Sequence, residues 1–297
     1  TTAPLRQKFL QKTIQQALKL LPSNFPEWLD RKTVEERGWP THSQALKQLH
    51  APQENILDLE NCVARRRLAY DELLAYQFML NNLRQNSTKI LTAPLPPKHH
   101  LTCRLRKALP FQLTQDQEQA ISEIEKDLAS SSVMSRLLQG DVGSGKTIVA
   151  LFAMLQIVEN GGQAALMAPT EMLAQQHYSN IKALLAPLNV KAVFIRSQQS
   201  AKERAAFTES LKNGEASLVI GTHALLYENI QFKQLSLAII DEQHRFGVEQ
   251  RMQLRSKGQA VHLLVMTATP IPRTLLLCHF GDLDVSQIKQ KPLGRKE

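Results

Sequence analysis

Eight consecutive residues near the middle of the chain carry the groups needed to bind a polyphosphate. They read GDVGSGKT over residues 140–147 and fit the pattern G-x-x-x-x-G-K-[S/T] without a gap. Glycines let backbone N–H groups approach phosphate oxygens, and the N-terminus of a following helix adds partial positive charge. In this pattern the lysine reaches the outer phosphates and the next hydroxyl holds Mg²⁺. The predicted nucleotide-binding residues of this motif are Gly140, Gly143, Ser144, Gly145, Lys146 and Thr147.

The flanking sequence supplies the structural context that the motif requires. Residues 134–138 form a short apolar stretch typical of a buried strand, and residues 148–155 continue as an apolar helix. Strand, glycine-rich turn and helix follow one another in this order in phosphate-binding loops. A chance glycine turn is the alternative, and the complete octapeptide disfavours it. The sequence therefore predicts that the chain binds a nucleoside triphosphate.

A second apolar stretch, residues 237–240, ends in two carboxylates, Asp241 and Glu242. Ligands of open α/β sheets bind at the carboxyl ends of the strands. A carboxylate offers the hard oxygen that Mg²⁺ prefers, so Asp241 and Thr147 are predicted on the metal side of the site. Glu242 is predicted to orient or deprotonate the attacking water. The predicted catalytic residues are thus Lys146, Asp241 and Glu242, although an acidic pair alone is often only the start of a loop.

A polar segment upstream of the glycine-rich motif could complete the nucleotide site. Thr114 precedes an amphipathic helix and is a good N-cap residue. Gln117, in the first turn, could offer a paired donor and acceptor to the N6 and N7 edge of adenine. Simple helix capping with a solvated glutamine is the alternative, and the sequence leaves both open.

The alternation of elements predicts the fold of the larger part of the chain. Beyond a proline-rich stretch at residues 87–100, short β-branched runs alternate with helical segments, one beginning with a capping box from Ser200 to Glu203. Such alternation predicts an α/β fold, a P-loop NTPase domain with a mainly parallel sheet covered on both faces. The strands are predicted at residues 137–139, 163–167, 192–195, 217–220, 237–240 and 262–266.

The N-terminal third is predicted to be helical. Apolar residues recur at helical spacing over residues 5–21 and 55–86. Thr41 or Ser43 could cap a small helix through Leu49, and residues 25–29 are predicted as a short helical turn. Arg65, Arg66 and Arg67 could contact DNA, or they could form a solvated or packing face. We therefore predict an α-helical linker segment over residues 1–100 and the nucleotide-binding domain over residues 101–297.

Composition restricts the class of protein and its partners. The formal net charge is +9, and the basic surplus lies almost entirely in residues 1–110, which permits a polyanionic partner without requiring one. No apolar run approaches the roughly 20 residues of a membrane span. Three scattered cysteines, Cys62, Cys103 and Cys278, favour a reducing cytoplasm over a disulfide scaffold.

Five segments resemble, in order, motifs I, Ia, Ib, II and III of superfamily 2 helicases. They are residues 140–147, APTEMLAQQH at 168–177, GTHALL at 221–226, DEQH at 241–244 and TATP at 267–270. The longer strings DEQHRFGVEQR and TATPIPRTL resemble the RecG family of bacterial branched-DNA helicases, and FQLTQDQ at 111–117 resembles its Q-motif. Transcription-repair coupling translocases share RFGV and TATPIPRT but usually read DEEQ, and the N-terminal helices also favour the RecG family.

The resemblance implies a RecA-like first motor domain and roles for further residues. Phe111 would join Gln117 in binding the nucleotide. Short hydroxyls and backbone N–H groups bind phosphate without reading bases, which suits a DNA backbone contact. The implied DNA-binding residues are Pro169, Thr170, Gly221, Thr222 and His223. The residues implied to couple ATP to DNA are His244, Arg245, Thr267 and Thr269.

The function implied by the resemblance is ATP-dependent helicase or translocase activity on branched double-stranded DNA, in bacterial recombination and repair. ATP and Mg²⁺ are the implied cofactors. A complete motor of this superfamily has a second domain that supplies an arginine, so we expect the linker helices and motor domain 1 alone to turn over ATP hardly at all. The missing wedge domain and second motor domain are the expected partners. A nucleotide-gated binding module, a transcription-repair coupling translocase and an RNA helicase are the alternatives.

Overall fold

The computed structural model describes residues 7–22, 25–50, 62–87, 91–196, 199–241, 253–268 and 283–290. It divides into two compact units, Thr1–Leu80 and Asn81–Glu297. The described helices are α1 (Gln7–Lys19), α2 (Arg31–Glu36), α3 (His42–His50), α4 (Val63–Ser87), α5 (His100–Ala108), α6 (Gln115–Leu128), α7 (Lys146–Glu159), α8 (Glu171–Leu185) and α9 (Ala201–Lys212). The described strands are β1 (Ser135–Gly140), β2 (Gln163–Met167), β3 (Ala192–Ile195), β4 (Leu218–Gly221), β5 (Leu235–Asp241), β6 (His262–Thr267) and β7 (Asp284–Ile288).

The second unit is built on one seven-stranded sheet with the order β3-β4-β2-β5-β6-β1-β7. Every strand pairing that the structure describes is parallel. All six predicted strands are present, and their bounds differ from the predicted ones by at most two residues. The prediction of an α/β fold with a parallel sheet is therefore confirmed.

Each face of the sheet carries its own hydrophobic cluster. Alternate strand residues such as Leu138, Leu166 and Ile239 join one cluster with α6, α7 and α8. Their neighbours in the strands, such as Leu137 and Ala165, join the second cluster, to which α9 contributes Leu211. Side chains of a strand alternate between faces, so a sheet covered on both sides requires continuous apolar runs. The fully buried residues of β5 meet that requirement.

Strand β7 was not predicted from the sequence. Its residues, DVSQI, follow the exposure pattern of an edge strand, with only Ser286 and Ile288 buried. It pairs with β1, and Gly140 lies opposite Ile288. A polar edge strand lacks the apolar run that identified the other six, which is why sequence periodicity missed it.

The first unit contains helices α1 to α3 and most of α4. α4 begins at Val63, after the non-helical Cys62, so the predicted start near residue 55 is wrong, although residues 51–61 themselves lie outside the described part of the chain. α2 was not predicted, and residues 25–29 form no helix. Asp30 caps α2 by accepting a hydrogen bond from the Thr33 amide at 2.9 Å, which identifies the helix start in retrospect.

The proline-rich stretch at residues 87–100 is predicted as a linker, but Ser87 ends α4 and His100 begins α5. Residues 91–99 have no helix and no strand of their own. Their backbone is nevertheless held within the second unit. The Leu95 amide donates to the Leu128 carbonyl at 2.8 Å, and Gln156 Nε2 donates to the Leu95 carbonyl at 2.7 Å. The second compact unit begins at Asn81, so it includes these residues. A functional division at residue 100 stays a prediction.

Candidate functional site

The glycine-rich turn connects the end of β1 to the start of α7, as the sequence predicts. Gly145 is the N-cap of α7 and has a φ of 88°, a conformation that favours glycine because it lacks a Cβ atom. An added Cβ at Gly145 would also lie 2.3 Å from Nε2 of Gln117. At Gly140 an added Cβ would lie 2.9 Å from the Ile288 carbonyl oxygen. Both glycines are therefore needed for close packing around the turn.

The Lys146 ammonium group lies against the backbone of the turn. Its Nζ donates to the Gly140 carbonyl at 2.6 Å and to the Asp141 carbonyl at 3.0 Å, and the residue is 8% exposed. Phosphate oxygens would be stronger acceptors than these carbonyls because they carry charge. The Lys146 ammonium group is thus held at the turn, where it could donate hydrogen bonds to a phosphate.

Gln117 lies beneath the turn rather than in solvent. It is fully buried, its Oε1 accepts from the Thr114 amide at 2.9 Å, and its Nε2 donates to the Ser144 carbonyl at 2.7 Å. The capping interpretation of Thr114 is confirmed, since the two residues form a capping box. The expectation that the Gln117 side chain is solvated is wrong, because its oxygen and its nitrogen both have protein partners. Adenine recognition by Gln117 and by Phe111, which is 40% exposed, stays a prediction.

Asp241 and Thr147, the predicted metal-side residues, lie near the same histidine. Asp241 ends β5 and is 7% exposed. His177 of α8 places its Nε2 2.8 Å from Asp241 Oδ2 and its Nδ1 3.5 Å from the Thr147 hydroxyl. The structure thus gathers the P-loop and the carboxylate at the C-terminal edge of the sheet. His177 was not predicted as a site residue, because only tertiary contact brings it to this site.

The predicted DNA-binding residues follow β2 and β4 at the same edge. Thr170 caps α8, its hydroxyl accepting from the Leu173 amide at 3.3 Å, and Pro169 beside it is half-buried. Gly221 ends β4, and the His223 side chain is exposed. The Thr222 side chain is only 2% exposed, and a hydrogen-bond partner for its hydroxyl oxygen is lacking among the described residues. Of this group His223 is the side chain placed on the surface.

Thr267, a predicted coupling residue, ends β6. This strand lies between β1, which leads into the glycine-rich turn, and β5, which ends in Asp241. Thr267 is 3% exposed and lies opposite Gln139 of β1, while its neighbour Met266 lies opposite Asp241 of β5. Four other predicted residues lie outside the described part of the chain: Glu242, His244, Arg245 and Thr269. Their predicted roles stay predictions.

A model of the DEAD/DEAH box helicase family matches residues 114–277, more than half of the chain. The chain belongs to the DEAD/DEAH box helicase family. The matched region of this helicase domain begins at Thr114, the cap of α6, and includes the P-loop, His177 and Asp241.

Individual proteins that the chain resembles are RecG helicases. The chain is 43% identical to the ATP-dependent DNA helicase RecG of Escherichia coli strain K12, over 99% of its own length and 44% of that protein. It is also 43% identical to RecG of Bacillus subtilis strain 168, over 97% of its length and 42% of that protein. The chain thus spans less than half the length of these relatives.

A solved structure of RecG bound to a three-way DNA junction has the same fold. The TM-score is 0.76 at 39% identity, and the likeness covers 100% of this chain and 40% of that one. The prediction of a RecA-like helicase fold preceded by helices is therefore confirmed. None of the helices in the described ranges is both long and apolar enough to span a bilayer.

Proposed function

We propose that this chain is the ATP-binding first motor domain of an ATP-dependent DNA helicase that acts on branched DNA in recombination and repair. The observation that carries the proposal is the placement of Lys146, Thr147 and Asp241 at one edge of the parallel sheet. Ligands of such sheets bind at this edge. Branched DNA as substrate is supported by the similarity to RecG over nearly the whole chain.

We propose ATP with Mg²⁺ as the cofactors, and the residues fit a magnesium ion. The Thr147 hydroxyl and the Asp241 carboxylate are hard oxygen donors. Mg²⁺ usually keeps several waters and takes further ligands from phosphate, so these two protein oxygens suit it. When bound, the ion would neutralise charge on the transferred phosphoryl group.

The chain's own residues would perform the remaining steps of hydrolysis. Lys146 would exchange its two carbonyl acceptors for phosphate oxygens, and the backbone N–H groups of the turn would bind the same phosphates. Glu242, which follows Asp241 directly in the sequence, would orient the attacking water. An arginine supplied by a second motor domain is worth about 10³–10⁵ in rate, so we expect little turnover by this chain alone.

The test is nucleotide binding and turnover by this chain with and without a three-way DNA junction. We expect fluorescent ADP to bind in the presence of Mg²⁺, and binding to be lost in Lys146→Ala. ATP turnover should stay near background whether or not DNA is added. Absence of nucleotide binding by the wild type would contradict the proposal, and strong DNA-stimulated turnover would contradict the need for a second motor domain.

DNA binding would involve the edge that carries Thr170 and His223. We expect weak binding with a steep salt dependence, since phosphate contacts release counterions. His223→Ala should weaken binding to duplex and junction DNA equally, because backbone contacts carry no sequence or branch information. The proposed partners that would add branch specificity and complete the motor are a wedge domain and a second motor domain, acting in the bacterial cytoplasm.

A further inference from the structure

His177 is a half-buried ring held between two oxygen groups of the candidate magnesium site. Its side chain is 13% exposed and that of Asp241 is 10% exposed. The shorter contact, 2.8 Å, joins Nε2 to the Asp241 carboxylate, and the longer one, 3.5 Å, joins Nδ1 to the Thr147 hydroxyl. The ring therefore connects α7, α8 and β5 at one point.

The chemistry of the three groups assigns a direction to each contact. An ionised carboxylate only accepts hydrogen bonds, so the Nε2–H group of His177 donates a hydrogen bond to Asp241. In a neutral ring with this tautomer, Nδ1 is the acceptor and the Thr147 hydroxyl donates to it. A hydroxyl whose proton points at His177 turns its lone pairs elsewhere, and Asp241 keeps a second carboxylate oxygen for another partner.

The position of the ring is determined by the packing of α8. Ala174, Ile181 and Leu185 of this helix are buried against the sheet, and His177 lies one turn after Ala174 on the same side. The next residue, Tyr178, stacks on Phe194 of β3 with ring centroids 5.4 Å apart. The packing of α8 thus fixes the backbone position from which the His177 side chain reaches Asp241.

We propose that His177 is a positioning residue that orients the Asp241 carboxylate and the Thr147 hydroxyl for a magnesium–nucleotide complex. This inference rests on the proposed function. Groups that hydrogen-bond to metal ligands fix the orientation of those ligands, and their loss typically costs about 10–100-fold in metal affinity. His177 does not touch the nucleotide in this arrangement; it acts through the two residues that it contacts.

The experiment compares three substitutions of His177 with one control on the same helix. In His177→Gln the carboxamide reaches the place of Nε2 and can still donate to Asp241. In His177→Asn the shorter side chain reaches only the place of Nδ1, on the Thr147 side. His177→Ala removes both contacts. The control, Gln176→Ala, changes an exposed neighbour.

The readout is the affinity of the ADP-loaded chain for Mn²⁺, a spectroscopic substitute for Mg²⁺, measured by electron paramagnetic resonance. ADP affinity without metal is measured in parallel. We expect Mn²⁺ affinity to fall about 10–100-fold in His177→Ala and His177→Asn, to recover largely in His177→Gln, and to stay unchanged in Gln176→Ala. ADP affinity without metal should not change in any of them.

Three outcomes distinguish the possible failures. If the wild type binds ADP without any effect of metal, the proposed function itself is wrong at this site. If the wild type binds Mn²⁺ with ADP and His177→Ala binds it equally well, only the role of His177 is wrong. If His177→Ala does not fold, equal Mn²⁺ affinities of the Gln and Asn variants overturn the inference, because a merely structural role would not separate them.

Discussion

The side-chain nitrogen of Gln117 donates to the Ser144 carbonyl oxygen at 2.7 Å, so α6 supports the glycine-rich turn. Both residues are almost fully buried. The same side chain accepts from the Thr114 amide, which ties the cap of α6 to the turn. A residue whose carboxamide could also recognise adenine thus contacts the backbone of the glycine-rich turn.

Substitution of Gln117 separates support of the turn from recognition of adenine. We expect Gln117→Ala to lower nucleotide affinity about tenfold, which corresponds to roughly 1.4 kcal/mol. If the residue supports the turn, the loss is the same for ADP and GDP; if it reads adenine, ADP alone is affected. Isothermal titration calorimetry with both nucleotides makes the comparison.

The control for this substitution is Gln119→Ala, in the same helix. Gln119 is exposed and hydrogen-bonds only with Glu123 among the contacts that the structure describes for its side chain. Its loss should leave both affinities unchanged. Equal affinities of Gln117→Ala and the wild type would show that the turn holds its shape without the glutamine.

Two glycines with similar backbone angles test the crowding at Gly145. Gly145 and Gly161 have φ values of 88° and 83°, but an added Cβ meets Gln117 Nε2 at the first and nothing within 4 Å at the second. Both alanine variants should lose about 1–2 kcal/mol of unfolding free energy from the left-handed conformation. Only Gly145→Ala should also lose nucleotide affinity. Unfolding in urea and ADP titration measure the two effects, and normal ADP binding by Gly145→Ala would count against the crowding.

Of the three adjacent arginines at residues 65–67, the third is buried and the first two are exposed. Arg67 is fully buried; its Nη2 lies 2.5 Å from Glu27 Oε1 and its Nε 3.1 Å from Asp71 Oδ2. Removing one member of a buried ion pair costs about 3–5 kcal/mol, so Arg67→Met should strongly destabilise the first unit. Arg66, which is exposed, should tolerate the same change within about 0.5 kcal/mol.

Tryptophan fluorescence during urea unfolding makes this measurement, because both tryptophans of the chain, Trp28 and Trp39, lie in the first unit. Trp28 Nε1 also donates to Asp71 at 3.1 Å, so its emission reports on the ion-pair network directly. Equal unfolding midpoints for the two arginine variants would contradict the assignment of Arg67 to the core.

His262 makes the stability of the sheet depend on pH. Burial, reinforced by the positive charge of Arg255, lowers the pKa of His262 to about 4 from the ordinary value of 6.5. Its Nδ1 accepts from the Met134 amide at 2.9 Å, a bond that protonation would break. Between these two pH values the unfolded chain binds a proton that the folded chain does not, so stability is full above pH 6.5 and falls as the pH is lowered towards 4.

The expected loss from His262 is on the order of 3 kcal/mol by pH 4, at 1.36 kcal/mol for each pKa unit. Hydrogen exchange of the β6 amides at pH 7 and pH 4.5, corrected for intrinsic rates, measures it. In His262→Asn the amide oxygen can still accept from Met134 but cannot be protonated, so this variant should show a smaller change. An identical pH dependence in both proteins would assign the effect to other groups.

The glycine-rich turn and the elements on either side of it could be predicted from the sequence because their residues are neighbours in the chain. The GDVGSGKT turn, the strand before it and the helix after it are local features, and backbone sterics determine their order. The six apolar strands could be predicted for a related reason, since a strand buried on both faces must be apolar throughout. The N-caps at Thr114 and Ser200 are equally local.

Only the tertiary structure decided which side chains meet across long stretches of chain. His177 and Asp241 are 64 residues apart, and Gln117 and Ser144 are 27 apart, yet each pair is in hydrogen-bond contact. The sequence likewise could not say which of three adjacent arginines is buried, or that Thr222 turns its hydroxyl inward. Residue type determines which hydrogen bonds a side chain can donate or accept. Its partner depends on the order of the strands and the packing of the helices, because one apolar pattern is compatible with several arrangements of the elements in space.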